Sequence, residues 1–223
     1  MTTQLLKRYL ILIAGLFLMG LGTALVTKVN IGTSPIASVP YVLSLIFPVS
    51  MGVMTILICC LFVVIQVLLL GKHFPKIQYL QLLVGVLFGI FLDLGAWIID
   101  SVHIEQYFIK ILGLLAGCLI LAVGIYLQIV ANTILNPGEG IVKVIAEKLG
   151  GDFGNIKIMF DWTLVSIGVA ISLIAFHSIE GVREGTIISA FLVGYFIKLL
   201  RRIVFRVRSR KEPQTATATT HSS

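Results

Sequence analysis

No aspartate, glutamate, lysine or arginine occurs anywhere between Val29 and Gly71. A water-soluble fold needs polar residues along the solvent face of each element, so a charge-free run of this length cannot stand half in water. The bias extends along the chain: 58% of its 223 residues are hydrophobic and 12% are charged. A bilayer crossing needs about 20 mostly apolar residues. Six segments approach or meet that length: Tyr9–Val26, Met51–Leu70, Leu80–Ile99, Ile109–Val130, Ile156–Phe176 and the shorter Gly185–Leu200. The expectation is an all-α polytopic membrane protein with about six transmembrane helices.

Basic residues near span ends are retained on the cytoplasmic side. With the N-terminus inside, that side collects Lys7, Arg8, Lys72, Lys76, Lys143, Lys148, Lys157 and the C-terminal cluster. The outside receives Lys28, Lys110 and Arg183. Both termini are therefore expected in the cytoplasm, with the chain in the bacterial plasma membrane. A cleaved signal peptide is the rival reading of the N-terminus. Lys7 and Arg8 stand directly before an apolar run of about 18 residues, and Thr23–Leu25 is a weak cleavage site, so an uncleaved first span is expected. The net charge of +7 resides in Lys198, Arg201, Arg202, Arg206, Arg208, Arg210 and Lys211. A cluster just past a span reads as an anchor touching anionic lipid headgroups, not as a nucleic-acid surface. Pro213–Ser223 is rich in Thr, Ala and Ser and is expected to be disordered.

The first half of the chain recurs in the second. Gly22, Asn30, Pro35 and Gly52 fall on Gly124, Asn132, Pro137 and Gly154, each pair 102 positions apart, and several Leu, Ala and Ile pairs follow the same offset. This divides the chain into residues 1–100, residues 101–205 and a tail, 206–223. Each copy holds three spans, and an odd number per copy places the two in opposite orientations, as in many secondary transporters. After the first span of each copy comes a doubtful segment. Residues 31–49 are apolar and hold three prolines, whereas residues 133–151 carry Glu139, Lys143, Glu147 and Lys148. Both are read as broken or re-entrant elements; an additional span over 31–49 is the alternative.

The sharpest local motif is Asn136-Pro137-Gly138-Glu139-Gly140. Pro137 lacks a backbone donor, and Gly138 and Gly140 accept conformations closed to other residues. An interrupted helix at membrane depth frees peptide groups that can bind ions and small polar solutes. Glu139 is either the titratable group of such a site or a solvated residue at a helix start. The partner motif runs from Asn30 through Thr33 and Ser34 to Pro35, with Asn132 matching Asn30. Asp161 lies in the fifth span and Asp93 in the third; an intramembrane carboxylate is a functional-site candidate unless it sits at the interface or bonds to a neighbouring helix. Gly15 with Gly22, and Gly85 with Gly89, read as helix-packing positions.

Cys59, Cys60 and Cys118 lack metal or redox spacing, and the four histidines fall in loops or the tail, so no metal site or cofactor is expected. Isolated acids supply neither a nucleophile–base pair nor metal ligands, and an enzyme is not expected. No P-loop motif is present.

The run Gly22-Thr-Ala-Leu-Val-Thr-Lys-Val-Asn-Ile-Gly-Thr-Ser-Pro35, followed by Gly124, Asn132 and Asn136–Gly140, resembles the YczE/YitT-like group of bacterial multispanning membrane proteins over about residues 8–205. That resemblance implies a plasma-membrane location and five or six spans, with no established substrate. The expected function is a secondary transporter or permease-like protein for a small solute. Asp93, Glu139 and Asp161 are its proton- or cation-coupling candidates. The alternative is a non-transporting accessory protein that binds a partner through its basic tail. The oligomeric state, including a homo-oligomer, is left open.

Overall fold

The computed structural model describes residues 2–102 and 105–211. The tail expected to be disordered lies outside them, as do the side chains of Arg206, Arg208, Arg210 and Lys211. Eight α-helices make up the described chain: α1 Thr2–Lys28, α2 Pro35–Ile46, α3 Met51–Leu70, α4 Gln81–Ile98, α5 Tyr107–Ala131, α6 Pro137–Leu149, α7 Phe153–Phe176 and α8 Glu184–Lys211. Short 3-10 turns at Gly71–His73 and Lys76–Leu80 join α3 to α4. Five helices, α1, α3, α4, α5 and α7, are long and apolar enough to cross a membrane. The sixth expected segment forms the first part of α8, which carries Glu184 at its start and Lys198, Arg201 and Arg202 further along.

The outward faces keep large apolar side chains exposed, among them Leu57, Leu61, Val64 and Leu68 of α3, Leu83 and Trp97 of α4, and Ile187 and Phe191 of α8. Such a coat is unfavourable in water and matches lipid tails. The protein is membrane-embedded.

Two chain breaks shape the fold. Asn30 follows α1 and Asn132 follows α5, both in the left-handed region, with φ of 53° and 46°. Asn tolerates this geometry better than most residues, and it halts an α-helix. Ser34 and Asn136 are extended, with ψ of 146° and 143°, as a residue before proline prefers. Pro35 and Pro137 then open α2 and α6, since the first helical position needs no N–H. Neither short helix is long enough to cross, and residues 31–49 do not form an additional span. The first half of α6, Pro137–Val142, is buried, and its later turns are largely exposed.

Helices α1 and α5 form the central seam and run antiparallel. Gly15 approaches Gly124, and Gly22 approaches Gly117. A Cβ on Gly124 would stand 2.6 Å from the Gly15 carbonyl oxygen, and one on Gly22 would stand 2.6 Å from the Leu121 nitrogen. These glycines let backbones touch, which sequence spacing alone suggested. Gly85 and Gly89 play the same part where α4 meets Cys59 and Ile56 of α3. Beyond the seam, α4 packs on α1 and α8 on α5; α3 packs on α4 and α7 on α8. Both short helices lie between α3 and α7 and touch each of them. The main core gathers Leu16, Met19, Phe88, Leu92, Leu121 and Ile125.

A Leu at Gly124 would drive α1 and α5 apart. Overpacking of this kind costs about 1–3 kcal/mol, and more where the opposing atoms are backbone. Thermal unfolding of the purified Gly124→Leu protein in lipid nanodiscs is expected to show a clear fall in Tm, whereas Leu68→Ala, at an outward position of α3 that is 77% exposed, is expected to leave Tm nearly unchanged.

Candidate functional site

The break before α6 is held by amides from two long helices, one of them backed by an amide from a third. Gln128 of α5 accepts from the Asn136 backbone N–H at 2.9 Å, and its own amide donates to the Met19 sulfur. Gln66 of α3 and Gln81 of α4 exchange hydrogen bonds at 2.9 and 3.1 Å, and Gln66 also donates to the Pro137 carbonyl at 3.3 Å. The Cys59 thiol donates to Asn136 Oδ1 at 3.7 Å. All three glutamines are fully buried. Backbone freed at membrane depth is tolerated when neighbouring side chains satisfy it in this way.

Glu139 is the third residue of α6 and has no exposed surface. Neither of its carboxyl oxygens has a hydrogen-bond partner. The Asn136 amide stands beside it, close enough to favour its charge, yet its Nδ2 completes no hydrogen bond of ordinary geometry. The charged groups that Glu139 feels are Lys157 and Asp161 of α7. These two form an i,i+4 ion pair with Nζ 2.5 Å from Oδ1, at 2% and 1% exposure. Three ionisable groups thus share one buried neighbourhood at the start of a broken helix. Glu139 is no solvated turn residue, and Asp161 is enclosed by the protein against Lys157.

The two short helices meet there. A side chain at Gly138 would run into Ile36, the second residue of α2. Pro40 lacks the N–H that would bond back to the Ile36 carbonyl, so this carbonyl has lost its i+4 helical donor. Gly140 is hemmed in by Gln81, whose Oε1 would lie 2.5 Å from an added Cβ.

The other sequence candidates lie elsewhere. Asp93 accepts from Ser50 Oγ at 2.6 Å and from the Gly52 N–H at 2.8 Å, closing the start of α3. It is eight residues beyond Gly85, which neighbours Pro137, and so about 12 Å further along α4. Thr33 is tied to α8: its N–H donates to Thr186 Oγ1 at 2.9 Å and its carbonyl accepts from Ser189 Oγ at 3.1 Å. Ser34 is fully buried with its hydroxyl unpartnered. Asn30 and Asn132 line two separate vestibules. That of Asn30, about 400 Å³, includes Lys28, Asp100, Tyr41 and Met51. That of Asn132, about 470 Å³, includes Lys143, Glu147, Phe153 and Arg201. They sit near the C-terminal ends of α1 and α5, which point in opposite directions. A narrower pocket lined by Gln66, Gln81, Gly140 and Lys143 shares Thr133, Leu135, Lys143 and Glu147 with the Asn132 vestibule.

Sequence reasoning placed Lys157 among the cytoplasmic flanking residues; the structure buries it against Asp161. The i,i+4 spacing of the two was the available signal. The glutamines were passed over because they carry no charge, although an amide in an apolar span needs a partner just as a carboxylate does.

Removing one member of a buried ion pair leaves a charge uncompensated and costs roughly 3–5 kcal/mol, while replacing both with apolar residues is far milder. Lys157→Met is therefore expected to lower Tm sharply in nanodiscs, and Lys157→Met with Asp161→Leu to recover most of the loss. Equal destabilisation by both proteins would show that the pair does not hold the α7 site together.

Comparison with curated proteins and with solved structures finds no match. The family comparison does find one, under a description other than the YczE/YitT name: residues 6–202 match the family of unknown function DUF6198, and the chain belongs to that family.

Proposed function

We propose that this chain is a secondary transporter for a small solute, built from two inverted copies, residues 1–100 and 101–205. The observation that carries the reading is the buried group Glu139, Lys157 and Asp161, set where two half-length helices meet between vestibules at opposite ends of the bundle. Buried charge in lipid is costly and persists where it serves binding or coupling.

The inverted arrangement is supported by reciprocal contacts. Gly15 meets Gly124, the position 102 beyond Gly22; Gly22 meets Gly117, the position 102 beyond Gly15. A contact that repeats when its partners are exchanged is the signature of a two-fold axis. The packing obeys the same exchange: α1 on α4 answers α5 on α8, α3 on α4 answers α7 on α8, and α2 on α7 answers α6 on α3. The vestibules correspond too, since Asn30, Tyr41 and Met51 of one stand 102 positions before Asn132, Lys143 and Phe153 of the other.

In this reading the Asn132 vestibule faces the cytoplasm with the basic cluster and both termini, and the membrane is the bacterial plasma membrane. The cluster around Arg201 and Arg202 rests against anionic lipid headgroups. Rocking of one half against the other about the α1–α5 seam exposes the short-helix junction to each vestibule in turn. Asp93 has a structural role at the start of α3 and takes no part in coupling.

The test is uptake and efflux in sealed vesicles, with pooled metabolites and an imposed pH or sodium gradient. Wild type is expected to show gradient-driven flux. Glu139→Gln and Asp161→Asn should abolish it at matched protein level, and Asp93→Asn should retain it. Flux indifferent to all three acids would overturn the site. Function that survives both acid substitutions but fails on removal of the basic tail would favour the accessory-protein reading.

A further inference from the structure

We propose that Glu139 is the proton-binding group of this protein, and that the Lys157 ammonium is shared between Glu139 and Asp161, moving toward Glu139 when the proton leaves. The inference rests on the transport reading above and names its coupling ion.

Charge balance is the first ground. Two carboxyls and one ammonium lie together out of reach of water, and in this structure the ammonium is committed to Asp161. Glu139 is left with two oxygens and no donor to either. An ionised carboxylate in that position has lost its water and gained no hydrogen bond, so the arrangement suits the neutral acid, with the proton in place. A useful carrier must also be able to release it. Glu139 sits in the first turn of α6, at the positive end of that helix's dipole, and the Asn136 amide stands beside the carboxyl. Both favour the ionised form once Lys157 turns toward it. Lys157 has the means, with three donors on a flexible stem.

The surroundings argue for a proton over a metal cation. Hard cations need a shell of several oxygen ligands. Around Glu139, α7 contributes an ammonium with its paired carboxylate, and α3 contributes the Cys59 thiol. From α4 comes the Gln81 amide, already bonded to Gln66, and from α2 the apolar Ile36. The remaining ionisable groups of α6, Lys143, Glu147 and Lys148, lie one or more turns along and face outward. An adjacent ammonium repels a metal ion, whereas a proton needs no cavity. The neighbouring Gly140 lines the narrow pocket that meets the Asn132 vestibule; Glu139 itself is fully buried and lines neither, so release requires the junction to open.

The step balances: a proton passes from the Glu139 carboxyl to water in the vestibule, Glu139 becomes a carboxylate, and the ammonium, its own charge unchanged, turns from Asp161 to Glu139. No bond to carbon changes. The movement pulls on α6 and α7 together, the two elements through which the junction opens.

Infrared difference spectroscopy of the full chain in liposomes, stepped from acid to alkaline buffer, reads the group directly without a known solute. Wild type is expected to show the carbonyl band of a buried neutral carboxyl that vanishes in alkali, unchanged when potassium is replaced by sodium. Glu139→Gln should remove it. Asp161→Asn releases Lys157 to Glu139 and should weaken its proton affinity about tenfold or more, one unit or more along the pH axis. Lys157→Gln should shift the band the opposite way. If Glu139→Gln does not yield folded protein, these opposed shifts carry the test. A band that survives in Glu139→Gln, a band displaced by sodium, or an unshifted titration in Asp161→Asn would overturn the proposal. Failure of the transport reading appears separately, as absent flux with the Glu139 titration intact.

Discussion

Peptide groups that leave helical geometry out of reach of water must still be bonded, and the architecture of this protein is arranged around two places where that happens. At Ser34–Pro35 the bonds come mainly from α8, through Thr186 and Ser189 and through the Gly185 N–H donating to the Ile31 carbonyl at 2.8 Å. At Asn136–Pro137 they come from side-chain amides on α3 and α5, the first of them bonded in turn to Gln81 of α4. The first solution ties the break to one neighbour with hydroxyls. The second draws three long helices to a point, and the polar enclosure that results is where carboxyl groups can be kept without water. Chemistry at α6 is thus a by-product of how its backbone is satisfied.

The breaks themselves were legible because proline and asparagine act locally. Asn30, Pro35, Asn132 and Pro137 state where the helix stops and starts, whatever surrounds them. The apolar segments were equally plain, since membrane depth sets their length. The burial of Lys157 was not legible, for a physical reason. Topology rules treat a lysine near a span end as a flank exposed to headgroups, but an i,i+4 aspartate offers an alternative to snorkelling outward, and here it wins. Asp93 illustrates the reverse. Its depth in α4 suggested a pathway, yet the start of α3 supplies Ser50 and a free N–H at the same level, and a carboxylate at a helix start is satisfied there. Which neighbour a buried acid meets is set by packing between distant segments, and that information is not local.

The last helix shows how composition and structure diverge at an edge. Residues 185–200 read as a short apolar run, but the helix continues without interruption to Lys211. Its later turns carry Lys198, Arg201 and Arg202, and long basic side chains of this kind pair an apolar stem with a charged head. Gly194 lies within contact distance of Ile158, so α8 braces the helix that holds the ion pair.

Positions 102 apart carry one more consequence. Glu139, Lys157 and Asp161 correspond to Ala37, Thr55 and Cys59, all buried and uncharged. A chain with two equal halves would look the same whichever way up it entered the bilayer, and half its copies could face each compartment without loss. This chain has given up that indifference. Its buried charges among the described residues, Glu139, Lys157 and Asp161, all lie in one half, so in the inverted reading proposed above insertion polarity becomes part of its chemistry: an inverted copy would present its charged junction to the wrong compartment. In that reading the basic residues that bias orientation and the acids at the centre have to be inherited together.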